Sequence, residues 1–241
     1  MRIYQKPILE SSKQINLAVL IDAENISPQK IKDILDEVAK YGKASVKRIY
    51  GDWTTPQMNT WKDYLHKHAI QPVQQFRYTI GKNATDSAMI IDAMDLLYEG
   101  NIDGFCLISS DSDYTKLAVR IRESGLIAYG IGERKTPESF RHACDQFIYI
   151  ENLGPIAESD EEKQVYDPIE FENDTELVKT AIEDASDEDG WAFLSRVSSI
   201  IRNKKPDFDF RTYGYKKFSD FIRNRAIFEI SDDHQKVRML N

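Results

Sequence analysis

Six short apolar runs, separated by amphipathic segments of helical length, dominate the sequence between residues 15 and 151. These runs predict strands at 17–21, 45–50, 71–76, 105–108, 127–131 and 146–150. Helical patterns begin near Pro28, Pro56, Thr85, Asp113 and Pro137, and proline suits the first turn of a helix. Repeated strand-helix-strand units predict an α/β fold with a mostly parallel sheet flanked by helices. In such sheets the functional groove lies outside the carboxyl ends of the strands.

Aspartates stand where two of the predicted strands end. Asp22 directly follows the run 17–21, and Asp111 and Asp113 lie in the segment SSDSDY, directly after the run 105–108. For Asp111 and Asp113 the alternative role is helix capping, because an aspartate before a helix accepts the free backbone N–H groups of its first turn. Because parallel strands end at the same edge, we expect Asp22 and Asp111 to approach each other.

Asp86 stands at the start of a predicted helix, on the face that packs against the sheet. The residues that share this face at helical spacing are Ile90, Ala93 and Leu97. Asp86 is therefore predicted to point toward the strand ends, whereas Asp92 lies farther round the helix and flanks the groove at best. Three acids from three segments, Asp22, Asp86 and Asp111, are thus expected to converge.

Clustered carboxylates repel one another, and a hard cation such as Mg²⁺ or Mn²⁺ relieves this repulsion while keeping positions open for a phosphate oxygen. The cluster therefore predicts metal-assisted hydrolysis of a phosphodiester bond. Asn25 is a candidate for orienting a water or a phosphate; its alternative role is a helix N-cap, which Ser27 fills more naturally. Arg77 and Lys82 are candidates for contacting substrate phosphates, with solvated loop cations as the alternative.

Composition limits the other classes of function. The longest apolar run has five residues, far short of the ~20 that a membrane helix needs, and the segment before the first strand does not have the pattern expected of a signal peptide. Only Cys106 and Cys144 are present. These features predict a soluble protein of a reducing, cytoplasmic compartment. The net charge is −8, which disfavours nucleic-acid binding unless a local basic patch is present.

Four regions are predicted along the chain: an N-terminal extension at 1–14, an α/β domain at 15–153, an acidic linker at 154–173 and a second domain at 174–241. The linker contains acids around Pro155 and Pro168 and no apolar periodicity. The second domain shows three helical patterns followed by two short β-type stretches, at 226–230 and 236–240. This is the order of a winged helix, an α+β domain smaller than the first.

A basic patch lies in this second domain. Between residues 191 and 225 there are nine Lys or Arg against three acids, with aromatic residues interleaved. Basic groups beside aromatic rings suit single-stranded or folded RNA. The candidate RNA-binding residues are Lys204, Lys205, Arg211, Tyr213, Tyr215, Lys216 and Lys217. The alternative is that the aromatic residues form the domain's core, which we expect of Trp191, Phe218 and Phe221 more than of the two tyrosines.

The first domain resembles the NYN domain of the PIN-like nuclease superfamily, in its LabA-like branch. The resemblance spans about 16–151 and is carried by NLAVLIDAENI, by the segment from GKNATDSAMIIDAMDLLYEG through SSDSDYTKLAVRIRESG, and by ESFRHACDQFIYI. It implies a metal site formed by Asp22, Asp86, Asp111 and Asp113, with Asn25 and Asp92 as accessory positions. The segment KNATD, which leads to Asp86, differs from the family's pattern, because relatives commonly have a shorter segment with a glycine at this place.

The second domain, over about 172–241, resembles the LOTUS or OST-HTH winged-helix domain through GWAFLSRVSSIIRNKKPDFDFRTYGYKKFSDFIRNRAIFEI. Relatives bind RNA or dock partner proteins. The two resemblances together imply a cytoplasmic ribonuclease that uses Mg²⁺ or Mn²⁺, with RNA as its partner. The alternatives are a catalytically weak or inactive RNA-binding adaptor, and cleavage of DNA. A protein partner for the LOTUS domain and a homodimer are also left open.

Overall fold

The structure is a computed structural model that describes residues 14–76, 84–154 and 166–240. Within these ranges the chain forms an α/β unit followed by a smaller unit of helices and a short antiparallel sheet. None of the described helices is both long enough and apolar enough to cross a lipid bilayer.

The first unit is built on a parallel sheet. Its described strands are β1 (Asn16–Asp22), β2 (Lys43–Gly51), β3 (Gln71–Gln74), β4 (Gly104–Ile108), β5 (Ile127–Gly132) and β6 (Gln146–Tyr149). They pair in the order β3-β2-β1-β4-β5-β6, each parallel to its neighbours. The prediction of a parallel α/β sheet is confirmed.

The strand order reverses between β1 and β4, which lie side by side in the middle of the sheet. Ile21 pairs with Ile108, so the chain leaves both strands at the same level, at Asp22 and Ser109. Adjacent parallel strands whose connections run in opposite directions leave a crevice at their carboxyl ends. The acids predicted to converge are positioned around this crevice.

Helices cover both faces of the sheet, as the strand pattern requires. They are α1 (Ile31–Val38), α2 (Lys62–His68), α3 (Ala84–Glu99), α4 (Thr115–Glu123) and α5 (Glu138–Ala143). Successive strand residues point to opposite faces, so Leu17 and Val19 pack with Ile31 in one apolar layer, while Ala18 and Leu20 belong to the other. The central strands β1 and β4 are buried on both faces, which explains why their sequences read as continuous apolar runs.

The second unit contains α6 (Pro168–Ala185), β7 (Ala192–Phe193), α7 (Leu194–Lys204), α8 (Phe218–Arg223), β8 (Phe228–Ile230) and β9 (Lys236–Met239). Its strands are antiparallel in the order β7-β9-β8. The helices and terminal hairpin follow the predicted order, whereas β7 was not predicted. Two residues pairing at the start of a helical pattern leave no periodic signal in the sequence.

The acidic linker was predicted to extend to residue 173, and this is wrong for 168–173, which lie in α6. Asp167 caps the helix by accepting a hydrogen bond from the backbone N–H of Ile169 at 2.9 Å. Proline follows as the first helical residue, and acids in a first turn interact favourably with the helix dipole. The acidic composition that suggested a linker here belongs to a helix N-terminus. Residues 155–165 of that linker lie outside the described ranges.

The second unit docks against β6, the edge strand of the large sheet. The backbone N–H of Phe147 donates to the carbonyl of Pro206 at 2.9 Å. The hydroxyl of Tyr149 donates to Oδ2 of Asp207 at 2.6 Å, and the Arg141 guanidinium binds the same oxygen. The side chain of Asp207 is fully buried in this contact. The docked unit therefore covers an edge that would otherwise expose unpaired backbone groups.

Candidate functional site

Three carboxylates meet at the crevice beside the carboxyl ends of β1 and β4. Asp86 lies in the first turn of α3, Asp111 in the loop after β4, and Asp113 in a short 3₁₀ turn, Ser112–Tyr114. One oxygen from each lies within 4.8 Å of the other two. Asp86 and Asp111 are half-buried and Asp113 is exposed. The structure thus brings together three of the four predicted metal ligands.

Asp22, the fourth predicted ligand, lies behind this group and is 1% exposed. Its carboxylate accepts hydrogen bonds from the amide of Asn25, from Oγ of Ser109 at 3.1 Å and from the backbone N–H of Glu24 at 3.0 Å. Both oxygens are therefore used within the protein. Asp22 is thus a buried acid beside the group: burial raises its pKa, and the charge of Asp86 raises it further.

Ser109 connects the buried acid to the loop that carries Asp111. Its hydroxyl donates to Asp22 and accepts from the backbone N–H of Asp111 at 3.1 Å. Asp111 in turn caps the 3₁₀ turn, because its Oδ1 accepts from the backbone N–H of Asp113 at 2.9 Å. The capping role left open for both aspartates therefore falls to Asp111. It uses one of the two carboxylate oxygens and holds the loop in a fixed conformation.

Tyr114 is a part of the site that the sequence did not reveal. Its hydroxyl donates to Oδ1 of Asp86 at 2.7 Å, and the residue is fully buried. An aromatic residue at the start of a helical pattern is normally predicted to be part of the hydrophobic core, and the ring of Tyr114 does pack there. The only signal was its place directly after the SSDSD segment. Burial and the neighbouring acids raise the pKa of the Tyr114 hydroxyl, so it remains a donor.

The electrostatics of the cluster favour a cation. Burial raises the pKa of Asp86; the Tyr114 hydrogen bond opposes this, and the charges of Asp111 and Asp113 raise it further. Burial also raises the pKa of Asp22, against the hydrogen bond from Asn25. Carboxylates under mutual repulsion are stabilised in their ionised form by a nearby positive charge. Three hard oxygen donors with one exposed side fit Mg²⁺ or Mn²⁺, which bind through a few carboxylates and keep several waters.

The other residues predicted for this site are not members of the three-carboxylate group in the described structure. Asn25 contacts Asp22 and does not cap the following helix. Asp92 forms an ion pair with Arg48 and accepts from the hydroxyl of Tyr50, both on β2. Its role is therefore to hold α3 against the sheet. Arg77 and Lys82 lie outside the described residues.

The candidate RNA-binding lysines fall into two groups. Lys204 forms an ion pair with Asp184 at 2.5 Å, and Lys205 forms pairs with Asp174 at 2.6 Å and with Glu170 at 3.4 Å. Lys205 is thus held by two acids of α6. Lys216 and Lys217, in contrast, are exposed beside α8.

Two of the RNA-binding candidates are structural in this fold. Arg211 binds the buried carboxylate of Asp209 at 2.8 Å and that of Glu37, on α1, at 3.0 Å. Tyr213 is 7% exposed and donates its hydroxyl to Asp174 at 2.7 Å. Tyr213 is therefore buried, and the guanidinium of Arg211, whose side chain is 19% exposed, is held by two carboxylates. The basic and aromatic composition of the segment did not distinguish surface residues from core residues.

Tyr215 keeps a partly accessible ring. It packs edge-on against Phe221, with 5.5 Å between ring centroids, and is half-buried. Phe221 is fully buried and Phe218 half-buried, and the two lie in one apolar cluster with Tyr213. The core interpretation of the aromatic residues thus holds for most of them.

Two family models match the chain, one for each unit. A family model of the NYN domain matches residues 16–151, and one of the OST-HTH/LOTUS domain matches 172–239. A crystal structure from Vibrio parahaemolyticus, of a protein of unknown function, is 19% identical over 59% of this chain and 96% of its own, with a TM-score of 0.49. A solution structure of an uncharacterized protein from Nitrosomonas europaea is 32% identical over 36% of this chain and 86% of its own, with a TM-score of 0.27.

No curated protein matches the chain significantly. The NYN match covers more than half of the sequence and the whole parallel sheet. The chain therefore belongs to the NYN domain family, and its NYN domain is followed by an OST-HTH/LOTUS domain.

Proposed function

We propose that this protein is a divalent-metal-dependent endoribonuclease, in which the NYN domain hydrolyses RNA phosphodiester bonds and the LOTUS domain holds the RNA. The observation that carries the proposal is the approach of Asp86, Asp111 and Asp113 to within 4.8 Å at the carboxyl ends of the central strands. A nuclease-like domain joined to an RNA-binding type of domain fits this function.

In this proposal Asp86, Asp111 and Asp113 would hold Mg²⁺ or Mn²⁺. When bound, such an ion lowers the pKa of a water and offsets charge at the phosphorus. Asp113 is exposed, so the group opens toward solvent on the side from which a phosphate would approach.

Neighbouring residues would keep the three carboxylates in place. Tyr114 fixes the direction of one Asp86 oxygen through its hydrogen bond. Ser109 ties the Asp111 loop to Asp22, and Asp22 is held by three donors. Hydrogen bonds of this kind orient ligands, and their loss commonly weakens a metal site.

The LOTUS domain would contribute affinity through its exposed cations. Lys216 and Lys217 lie at the N-terminus of α8, and Arg196 and Arg223 are also exposed on this domain. Contacts of lysine and arginine with phosphates supply affinity that falls as salt increases, without specifying sequence. The negative net charge of the whole chain does not prevent this, because the segment 191–225 is locally basic, with nine Lys or Arg against three acids.

Cleavage of end-labelled RNA in Mg²⁺ or Mn²⁺, by wild type beside Asp111→Asn, tests the proposal. We expect wild type to produce internal fragments and Asp111→Asn to lose most of this activity. Equal cleavage by both proteins would show a contaminant, and no cleavage with either metal would favour the RNA-binding adaptor. A DNA strand of the same sequence, tested in parallel, separates ribonuclease from deoxyribonuclease activity.

A further inference from the structure

A cleft of about 340 Å³ lies between the two domains, away from the carboxylate group. Its NYN side is formed by the end of α1 and by Gln146, the first residue of β6. Its LOTUS side is formed by α7 and by the segment that leads to α8. Gln146 begins β6, and Tyr41 just precedes β2 at Lys43. The cleft therefore opens at the amino ends of the strands, opposite the edge that carries Asp111.

Aromatic rings line the LOTUS side of the cleft. Phe208, Phe210 and Phe218 all contribute, and all three are partly exposed. Phe210 and Phe218 lie with 6.3 Å between ring centroids. Partly exposed rings at a cavity wall offer a surface on which a planar base can stack. The volume lies within the ~300 to 1,000 Å³ usual for small-ligand sites.

Two cations at the cleft have no counter-ion within the described parts of the chain. Among the described residues Arg202 and Lys216 form no ion pair, and both are exposed at the rim. The other charged groups of the lining are already matched, since Arg211 binds Glu37 and Asp209, and Lys40 binds Glu37. The rim is thus a place for an anion such as a phosphate.

Gln146 adds a specific polar group. Its Nε2 donates to the hydroxyl of Tyr41 at 3.0 Å, and that hydroxyl gives its one proton to Glu37 at 3.1 Å. Tyr41 can therefore only accept from Gln146, which fixes the orientation of the amide. Its Oε1 is buried and has no hydrogen-bond partner within the described part of the chain. A buried acceptor left without a donor is costly, and a ligand with an amino group would satisfy it.

From these observations we infer that the interdomain cleft binds a nucleotide whose base carries an amino group. The base lies against Phe210 and Phe218, the amino group donates to Oε1 of Gln146, and the phosphate contacts Arg202 and Lys216. The nucleotide is either free or one unit of a bound RNA strand, since the chemistry of recognition is the same. Because the ligand touches both domains, its binding favours their docked arrangement.

Calorimetric titration of the full-length protein with AMP, CMP, GMP and UMP in EDTA tests this inference independently of catalysis. We expect AMP, CMP or GMP to bind more tightly than UMP, which has no amino group, and more tightly than inorganic phosphate. Arg202→Ala and Lys216→Ala should each weaken binding by roughly tenfold, as expected for loss of a charge-assisted hydrogen bond. Lys67→Ala, an exposed lysine on α2, is the matched control and should bind as wild type does.

Gln146→Met gives a readout that general loss of folding does not imitate. It should remove the preference over UMP while phosphate-dependent binding persists, with an unchanged unfolding midpoint as the check on folding. A short adenosine hexanucleotide tested beside AMP distinguishes the two sources: tighter binding of the hexanucleotide assigns the cleft to an RNA strand, and equal binding to a free nucleotide. No binding of any nucleotide or of the hexanucleotide, or inorganic phosphate binding as tightly as AMP, would overturn the inference.

Discussion

The hydroxyl of Tyr114 donates a 2.7 Å hydrogen bond to Oδ1 of Asp86, joining the loop after β4 to the first turn of α3. These two segments supply all three carboxylates of the group. Because Tyr114 is fully buried, this bond holds Asp86 from the interior of the domain. The site is therefore held by a residue that bears no charge and does not belong to the acidic motif.

Replacement of Tyr114 by phenylalanine should weaken metal binding while preserving the fold. The ring and its packing remain, so the free energy of unfolding should fall by only about 1 kcal/mol for the lost hydrogen bond. Affinity for Mn²⁺ should fall about tenfold, as is typical when the partner of a metal ligand is removed. Titration of Mn²⁺ followed by electron paramagnetic resonance measures this. The control is Tyr98→Phe, which lies on α3 with Asp86 and is 71% exposed; it should leave the affinity for Mn²⁺ unchanged. Unaltered affinity in Tyr114→Phe would contradict the role of this hydroxyl.

Asp22→Asn should destabilise the protein even without metal. Asp22 is buried and only accepts hydrogen bonds, from Asn25, Ser109 and Glu24. An asparagine would present an amide N–H₂ to one of these donors, which costs about 1 to 3 kcal/mol. Urea unfolding in EDTA measures the difference. The control is Asp95→Asn, an exposed acid on α3, for which no change is expected; equal stability of the two variants would contradict the buried role.

Asp207→Ala should release the LOTUS domain from the NYN domain. The side chain is fully buried and binds both Arg141 and Tyr149. Its loss leaves the guanidinium without its counter-ion, at a cost of about 3 kcal/mol for breaking a buried pair. Small-angle X-ray scattering should show a larger radius of gyration.

The matched control for this prediction is Asp184→Ala. Asp184 forms an ion pair with Lys204 at 2.5 Å, but both side chains are well exposed, so its loss should cost less than about 1 kcal/mol. The scattering profile of this variant should match wild type. If Asp207→Ala also keeps the wild-type profile, the docked arrangement depends on other contacts.

Lowering the pH should weaken the contact between the two domains, because it protonates Glu37, the partner of Arg211. Burial raises the pKa of Glu37, but hydrogen bonds from Arg211 and Lys40 outweigh it and hold the pKa below the ordinary 4.5. A lowered pKa means that the ionised form stabilises the folded state. This contribution is fully present above pH 4.5 and is lost as the pH falls through the lowered value.

Glu37→Gln should therefore be less stable than wild type at pH 7, and the difference should shrink as the pH falls below 4.5 and through the lowered pKa of Glu37. Urea unfolding at several pH values measures it. Glu176→Gln, in which an exposed partner of Lys179 is replaced, should show little difference at any pH. If the difference in the free energy of unfolding between Glu37→Gln and wild type does not change with pH, the stabilising role of ionised Glu37 is contradicted.

The parallel sheet and the approach of Asp86 to Asp111 could be predicted from the sequence, because both follow from where the strands lie and where they end. Six apolar runs led to six parallel strands among the described residues, and the carboxyl ends of such strands share one edge. Helical phase placed Asp86 toward that edge, where it meets Asp111. These inferences need only local periodicity and the geometry of parallel sheets.

The remaining features depend on contacts between distant segments, which local patterns do not encode. Asp207 was counted only as one acid within a basic segment, yet it forms the interface with Arg141 and Tyr149. Arg211 was assigned to RNA because of its basic neighbours, yet it reaches Glu37 on α1. The sequence indicates that Tyr114 is a core residue, and its ring does pack in the core. Only its hydroxyl has a further role, as the donor to Asp86.

We propose that the carboxylates of Asp86, Asp111 and Asp113 hold the metal ion that assists hydrolysis of the RNA phosphodiester bond. The most direct test of this proposal is single-turnover cleavage of labelled RNA at increasing Mn²⁺, with Asp86→Asn compared with Asp95→Asn on the same helix. We predict that Asp95→Asn cleaves as wild type does, whereas Asp86→Asn loses at least about a hundredfold in rate, partly restored at high Mn²⁺. Cleavage by Asp86→Asn at the wild-type rate and Mn²⁺ dependence would contradict the account.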